Sequence, residues 1–513
     1  MSNYFRTLVF YIYTTLISKI VLRGTKQLIT RSGLFDLEYY LNSRPEMDLS
    51  GLDPIIHYLL YGRFKGKVPG LDFIKVFFVE TGTINNQARF NILHWIFQKR
   101  NQFRMLSPKT IIDAVRNERP VVQNEARFDI HELYQAYQMP ETNPVFEYED
   151  QEIIPYSSLK LIAFYLPQYY PFDENDRFWG KGFTEWTNVS KARPFFKEHL
   201  QPRLPGELGF YDLRIKDVLK RQVDLAKQHG IYGFCLHHYF FQGRSLMRVP
   251  LNHLLNDKNI DFPFCLHWAN ESWSTKFDGY GHEGGLLIEQ RHSPEDDLAF
   301  FKDIEPALND KRYIRIDGKP LLMVYRPGIF PDINATTARW RNCAAKSRIG
   351  DLFLVMIQTG FEALLDPRKY GFDAAAEFPP HRTRNISIKH LYNVYDPDIL
   401  ASICSYQEVM KGSFERVKPE YTLFRGIFPN WDNTPRIKNS IIYQGSEPLL
   451  YQQWLESLGA YTIRNLPQSR QILFINAWNE WAEGAYLEPD RHFGYAYLNA
   501  TSRALKNIAN RKC

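Results

Sequence analysis

Eight short apolar runs of strand length, each followed by a polar and aromatic cluster, restrict what this chain can fold into more than any other feature. They lie at 161–166, 232–236, 262–267, 321–325, 352–357, 373–376, 424–428 and 472–476. Each is of strand length and reads as a buried strand. Helical patterns fall between most of them. At 214–229, Ile215, Val218, Leu219, Val223 and Ala226 make an apolar stripe, and 295–308, 336–345 and 449–458 fill similar slots. Such alternation predicts parallel βα units, and eight units predict an α/β fold, a (β/α)8 TIM barrel over 159–513. The stretch 378–421 is too long for a plain loop and is expected to form an inserted helical excursion over the barrel top.

Upstream the pattern changes. Residues 34–62 read as two short helices around a Pro/Ser/Gly/Asp turn, and Ile55-Ile-His-Tyr-Leu-Leu60 recurs loosely as Ile92-Leu-His-Trp-Ile-Phe97. Residues 1–101 are therefore expected to be a separate α-helical module with a degenerate repeat, in which His57 and His94 read as packed helix histidines. The polar, acidic 102–158 reads as a linker. Residues 7–18 are uncharged, lack a signal-peptide cleavage pattern and are too short to span a bilayer. With Arg6, Lys19, Arg23 and Lys26 around them, residues 4–22 either lie on the inner membrane surface or form a buried helix.

Composition narrows the function classes. A net charge of +6 suits anionic headgroups or phosphorylated donors without implying nucleic-acid binding. The cysteines, Cys235, Cys265, Cys343, Cys404 and Cys513, are scattered and odd in number, which points to a reduced, cytoplasmic protein. Aromatic residues make up 15% of the chain and gather at the strand ends, a distribution that suits carbohydrate although packing explains many of them. No zinc-ligand spacing and no phosphate-cradling glycine loop stands out, so no metal or cofactor is expected.

In a (β/α)8 barrel the site forms beyond the carboxyl ends of the strands. There the first run leads to Gln168, Trp179, Glu185 and Trp186; the second to His237 and His238; the third to Trp268, Asn270 and Glu271. Tyr325 follows the fourth, Glu377 the sixth, Trp431 and Asp432 the seventh, and Asn479, Glu480, Trp481 and Glu483 the eighth. Glu480 and Glu483 suit glycosidic chemistry, which needs one carboxyl to move a proton and another to manage charge at the sugar ring; the competing reading is two solvated acids at a helix start. His237 and His238 are adjacent, so on an extended segment they point to opposite sides and make a poor metal pair. Asp432, before Asn433-Thr434-Pro435, reads equally as a turn former. Convergence of so many Trp, Asn, Glu and His residues at one barrel end favours a site.

The motifs LIAFYLPQYYPFDENDRFWGKGFTEWTNVSKARPFF, HGIYGFCLHHYFF, CLHWANESW, FDAAAEFPPH, FPNWDNTPR and INAWNEWAEGAYLEPD, in this order, resemble the WbsX-like family of bacterial polysaccharide (O-antigen and capsule) clusters, which is similar in turn to the endo-α-mannosidase glycoside hydrolases of family 99. The resemblance covers 159–507. It implies a (β/α)8 barrel acting on glycosidic bonds in surface-polysaccharide assembly, on a glycan or lipid-linked oligosaccharide. Through the hydrolases it implies that Glu480 is the base drawing a proton from the sugar 2-hydroxyl, which attacks the anomeric carbon to give a 1,2-anhydro intermediate, and that Glu483 is the acid. Retention of configuration and independence from metal would follow. Tyr170 and Phe178 stand where the family pattern has His and Trp. The alternatives are a retaining endo-glycosidase, a non-catalytic glycan-binding barrel and, through 1–101, a nucleotide-sugar transferase. Residues 34–62 also resemble a segment often attached to bacterial glycosyltransferases.

Overall fold

A computed structural model describes residues 145–150, 158–274, 285–360, 366–395, 400–437 and 439–510. The chain divides into two units, Met1–Arg127 and Phe128–Cys513, and the described residues all belong to the second. The helical module at 1–101, its repeat and residues 4–22 therefore lie outside the described residues. Of the segment expected to be a linker, 145–150 is fastened to the barrel. Glu147 exchanges backbone hydrogen bonds with Phe493 and Tyr495 at 3.1 and 2.8 Å, and its carboxylate pairs with Arg503 at 2.8 Å.

Eight strands form the closed barrel: β1 (Lys160–Tyr165), β2 (Ile231–Phe241), β3 (Phe264–Trp268), β4 (Lys319–Val324), β5 (Phe353–Gln358), β6 (Ala374–Glu377), β7 (Leu423–Ile427) and β8 (Ile472–Ile475). Every neighbouring pair is parallel, and β1 closes the ring by pairing with both β2 and β8. All eight runs read from the sequence are strands, within a few residues at their ends. β2 runs longer than its apolar core because it continues into an antiparallel hairpin with Arg244–Leu246.

The outer helices form where their stripes predict. Helix α1 (Lys216–Gln228) buries Leu219, Val223 and Ala226, whereas Ile215 precedes its first turn and is exposed. Helix α2 (Pro294–Leu308) is capped by Ser293, whose hydroxyl accepts from Asp296 N–H at 3.1 Å, and α3 (Ile333–Lys346) by Asp332, which accepts from Ala335 N–H at 2.9 Å. Phe300 of α2 stacks on Trp268 with ring centroids 3.9 Å apart, joining that helix to the outer face of β3. Helix α4 (Pro448–Asn465) packs on α5 (Ala496–Asn510), where Gly459 lets the two approach closely.

The excursion at 378–421 is not the helical insertion expected. Its described residues contain one α-helix, Tyr406–Phe414, and a strand, Ser402–Ser405, that pairs in parallel with Ile441–Gln444. Ile403 and Ala401 bury against Phe195, Phe196 and Ile442 in a small apolar cluster apart from the main core. Those partners come from distant parts of the chain, so a local helical pattern could not reveal them. Among the described residues no helix is long and apolar enough to cross a membrane.

Gly233 sits on β2 where an added Cβ would lie 2.6 Å from the carbonyl oxygen of Pro263 and 3.0 Å from Ile314. Backbone on one side cannot yield, so Gly233→Ala is expected to destabilise the barrel by about 1–3 kcal/mol, read as a fall in the denaturant midpoint at unchanged slope.

Candidate active site

The segment after β8 folds over the barrel mouth because its polar groups are tied to β1. Asn479 accepts from Leu166 N–H at 2.8 Å and donates to Leu166 O at 3.0 Å, and Trp478 N–H donates to Phe164 O at 2.8 Å. Tyr169 O–H donates to Asn479 O at 2.6 Å while its oxygen accepts from Trp481 N–H. Behind the segment, the buried Glu488 accepts from the indoles of Trp478 and Trp481 at 2.9 and 2.6 Å, from Gln222 at 2.6 Å and from Tyr211 O–H at 2.9 Å. Burial outweighs these bonds and pushes its pKa up to about 7. Asn479 and Trp481, candidates for sugar contact, thus serve the backbone and the core; Trp481 also stacks on Tyr486 at 3.8 Å.

Two acids of this segment, with Glu185 from the β1 loop, converge on one guanidinium. Arg436 Nη1 is 2.7 Å from Glu483 Oε1, and Nη2 is 3.1 Å from Glu480 Oε2 and 2.9 Å from Glu185 Oε2. Glu185 N–H donates to Gln168 O at 3.2 Å, which sets its place at the end of β1. Arg436 itself is positioned by the β7 loop. There Asp432 accepts from His199 Nε2 at 2.7 Å, Gln201 at 2.6 Å and Thr434 Oγ1 at 2.6 Å, and its N–H donates to Glu483 O at 2.7 Å. Gly484, at φ +64°, permits this contact, because a Cβ there would meet Asp432 N at 3.0 Å and Arg203 Nε at 3.1 Å. Asp432 is fully buried, and its pKa falls below the ordinary range: burial opposes the charge, but His199 and Arg203 more than offset it. It is a turn-building and loop-fastening residue rather than a group facing the mouth.

The electrostatics separate the two acids. For Glu480, burial disfavours ionisation, but Arg436 and His237 outweigh it and hold the pKa below the ordinary glutamate value. For Glu483, burial and then the charge of Glu480 push it up to about 8, with Arg436 offsetting only part. Near neutral pH one carboxyl is ionised and its neighbour holds a proton.

Strand alternation decides the histidines. His237 faces Glu480, with Nε2 3.6 Å from Oε1, and its Nδ1 is 2.7 Å from His267 Nδ1. His238, one residue on, turns outward and bonds Asp303 at 2.9 Å, just as Trp268 turns outward onto Phe300 while His267 turns in. Among the described residues no group of three or more His, Cys, Asp or Glu side chains could hold a metal ion.

The remaining candidates are spread around the mouth or behind it. Tyr325 bonds His381 Nε2 at 3.0 Å and lies near enough to Glu483 to feel its charge. Asn270 braces Arg326 through two backbone bonds, and Glu271 pairs with the Arg326 side chain at 2.5 Å. Glu377 is buried in an ion cluster with Arg416 and Arg425 at 2.6 and 2.9 Å. Trp186 packs on Tyr169, Tyr211 and Trp481, and Trp179 and Trp431 are half-buried. Arg436 and His267 were missed as site residues. Arg436 closes the quoted FPNWDNTPR motif, and alternation applied to both β2 and β3 would have selected His267 over Trp268. A separate cavity of about 500 Å³ at the end of β2 is lined by Phe241, Leu246 and Ile288 and by Arg177, Arg244 and Arg291, of which Arg244 and Arg291 pair with the lining acids Glu174 and Glu289.

Parallel strands that close on themselves, with acids gathered at their carboxyl ends, define an enzyme-like (β/α)8 barrel. The chain belongs to the family described as Glycosyltransferase WbsX, whose model matches residues 161–501. Two curated relatives, both "Uncharacterized protein WxcX" from strains of Xanthomonas campestris pv. campestris, are 42% identical over 388 residues, which is 75% of this chain and 53% of theirs. The chain thus spans about half the length of the curated relatives it matches. A GH99 endo-alpha-mannosidase from Bacteroides thetaiotaomicron aligns at 13% identity over 69% of this chain and 98% of that one, with a TM-score of 0.44.

Removing the shared cation tests this electrostatic arrangement. Arg436→Met leaves Glu185, Glu480 and Glu483 facing one another in a buried setting, an expected loss of about 3–5 kcal/mol at pH 7. Carboxyls whose folded pKa is raised destabilise the fold as pH rises above the unfolded value, so the deficit should be smaller at pH 5 than at pH 7 in chemical denaturation.

Proposed function

We propose that this chain is a carbohydrate-active enzyme that transfers glycosyl groups through Glu480 and Glu483 during bacterial surface-polysaccharide assembly. The observation that carries the reading is one guanidinium holding two carboxyls whose proton affinities are driven apart, so that a base and an acid coexist at the same pH. Glu480 takes the proton of the sugar 2-hydroxyl as O2 bonds to the anomeric carbon. The bond from that carbon to the leaving oxygen breaks, and Glu483 gives its proton to the leaving oxygen. An acceptor hydroxyl then attacks the anomeric carbon and delivers its proton to Glu483, while the bond from that carbon to O2 breaks and O2 recovers its proton from Glu480. Two inversions give net retention, and no charged intermediate is released.

A sugar or lipid-linked oligosaccharide acceptor makes the enzyme a transferase, and water in the same place makes it a retaining endo-glycosidase. Transfer is preferred because the sequence reads as reduced and cytoplasmic, where residues 4–22 would hold it at the inner membrane beside its substrate. A nucleotide-sugar donor fits less well: its anomeric phosphate would enter a mouth where three carboxyls share one arginine. A barrel that binds glycans without turnover is the remaining reading.

The test is product formation by the wild type, Glu480→Gln and Glu483→Gln, incubated with lipid-linked oligosaccharide with and without nucleotide sugars and read by mass spectrometry. Glycosyl release or exchange without nucleotide, lost by at least about 10²-fold in both variants, is expected. Activity only with a nucleotide sugar, or indifference to both substitutions, overturns the mechanism. In the wild type kcat/KM should rise as pH climbs through the depressed pKa of Glu480 and fall above about pH 8, where Glu483 loses its proton.

A further inference from the structure

The pair formed by His237 and His267 imposes a constraint that the carboxylate mechanism leaves unused. Their Nδ1 atoms are 2.7 Å apart, so one proton lies between them, and one ring donates while the other accepts. His237 turns its other nitrogen, Nε2, toward Glu480 Oε1 at 3.6 Å. Among the described residues, His267 Nε2 is buried with no hydrogen-bond partner. If His237 donated from Nδ1, either a bare Nε2 would confront a carboxylate or His237 would be an imidazolium, and in both cases His267 would accept at Nδ1 and bury an unpaired N–H. If His267 donates, His237 must carry its proton on Nε2, directed at Glu480, and only a lone pair is left unpaired.

We propose that His267 is a positioning residue whose Nδ1–H fixes the tautomer of His237 and thereby presents His237 Nε2–H to Glu480. The surroundings suit this task. His267 is buried between Phe164, Phe378 and Tyr325, with ring centroids at 5.3, 5.8 and 5.5 Å. Burial, and then the neighbouring His237, keep its pKa well below the ordinary histidine value, so it stays neutral and retains a donor and an acceptor nitrogen. The pairing follows from register: His237 and His267 are partners across β2 and β3, which places both rings on the inner face at one level. Glu480 thus has an oriented N–H facing Oε1 and the Arg436 cation at Oε2, with Glu185, Glu483, Tyr169 and Tyr239 as its other titratable neighbours.

The functional weight of this relay rests on the reading of Glu480 as the base, but its geometry is measured without substrate. Long-range ¹H–¹⁵N NMR of the full chain at pH 7.5 (a working value of about one unit above an ordinary histidine pKa) reports the His237 tautomer, and ¹³C NMR of the glutamate carboxyls reports the Glu480 midpoint. In the wild type His237 should be protonated on Nε2. His267→Asn, whose amide can replace the Nδ1 donor, should keep that tautomer. His267→Leu should mix the tautomers and raise the Glu480 midpoint by about one pH unit. Protonation of His237 on Nδ1 in the wild type, or an unchanged tautomer in His267→Leu, overturns the proposal. Should His267→Leu fail to fold, the wild type and His267→Asn still decide. Full activity of Glu480→Gln alongside the expected tautomer would instead refute the role of Glu480 and leave the relay standing.

Discussion

The mouth of this barrel depends on the guanidinium of Arg436. Three carboxyls from two loops meet there, and without a cation they would repel one another in a setting that hydrates them poorly. Burial alone would raise the pKa of both Glu480 and Glu483. Arg436 draws both down, and what separates them is the second neighbour: Glu480 has a favourable one in His237, whereas Glu483 has an unfavourable one in Glu480. A shared cation with different second neighbours thus leaves two like residues with different proton affinities.

Much of the surrounding structure holds that cation in place. Asp432 anchors its loop from inside, fastened to His199, Gln201 and Thr434, and its backbone bonds directly to the Glu483 carbonyl. Gly484 opens the space for that bond. On the other flank, Asn479 joins the segment that carries the two acids to β1, and Glu488 gathers four donors beneath it. These polar residues lie beside the candidate acids in sequence, yet their work is to fix backbone. The WNEWAEG run therefore combines two kinds of residue: those that face the mouth, and those that keep the mouth in shape.

How legible this was from sequence varied with the range of the interaction. The eight strands were legible because a buried parallel strand is a continuous apolar run. The place of the site followed, since barrel topology puts it beyond the strand ends. Which residue of each cluster faces inward was less so. His238 and Trp268 share the strand-end clusters with His237, yet the pleat sends both outward, onto Asp303 and Phe300. The strand in the excursion at 378–421 is not legible locally for another reason: its partner strand, Ile441–Gln444, is distant in sequence.

The sequence by itself determined the barrel, the carboxyl ends where polar chemistry gathers, and the pair Glu480 and Glu483, because apolar runs and local clusters are properties of neighbouring residues. Only the tertiary structure decided that Arg436 binds both acids and Glu185, that His267 backs His237, and that Asp432 and Asn479 serve the scaffold. The physical reason is that a pKa and a hydrogen bond depend on distance in space. Glu185, His237, His267, Arg436 and Glu480 reach one another only when the strands close.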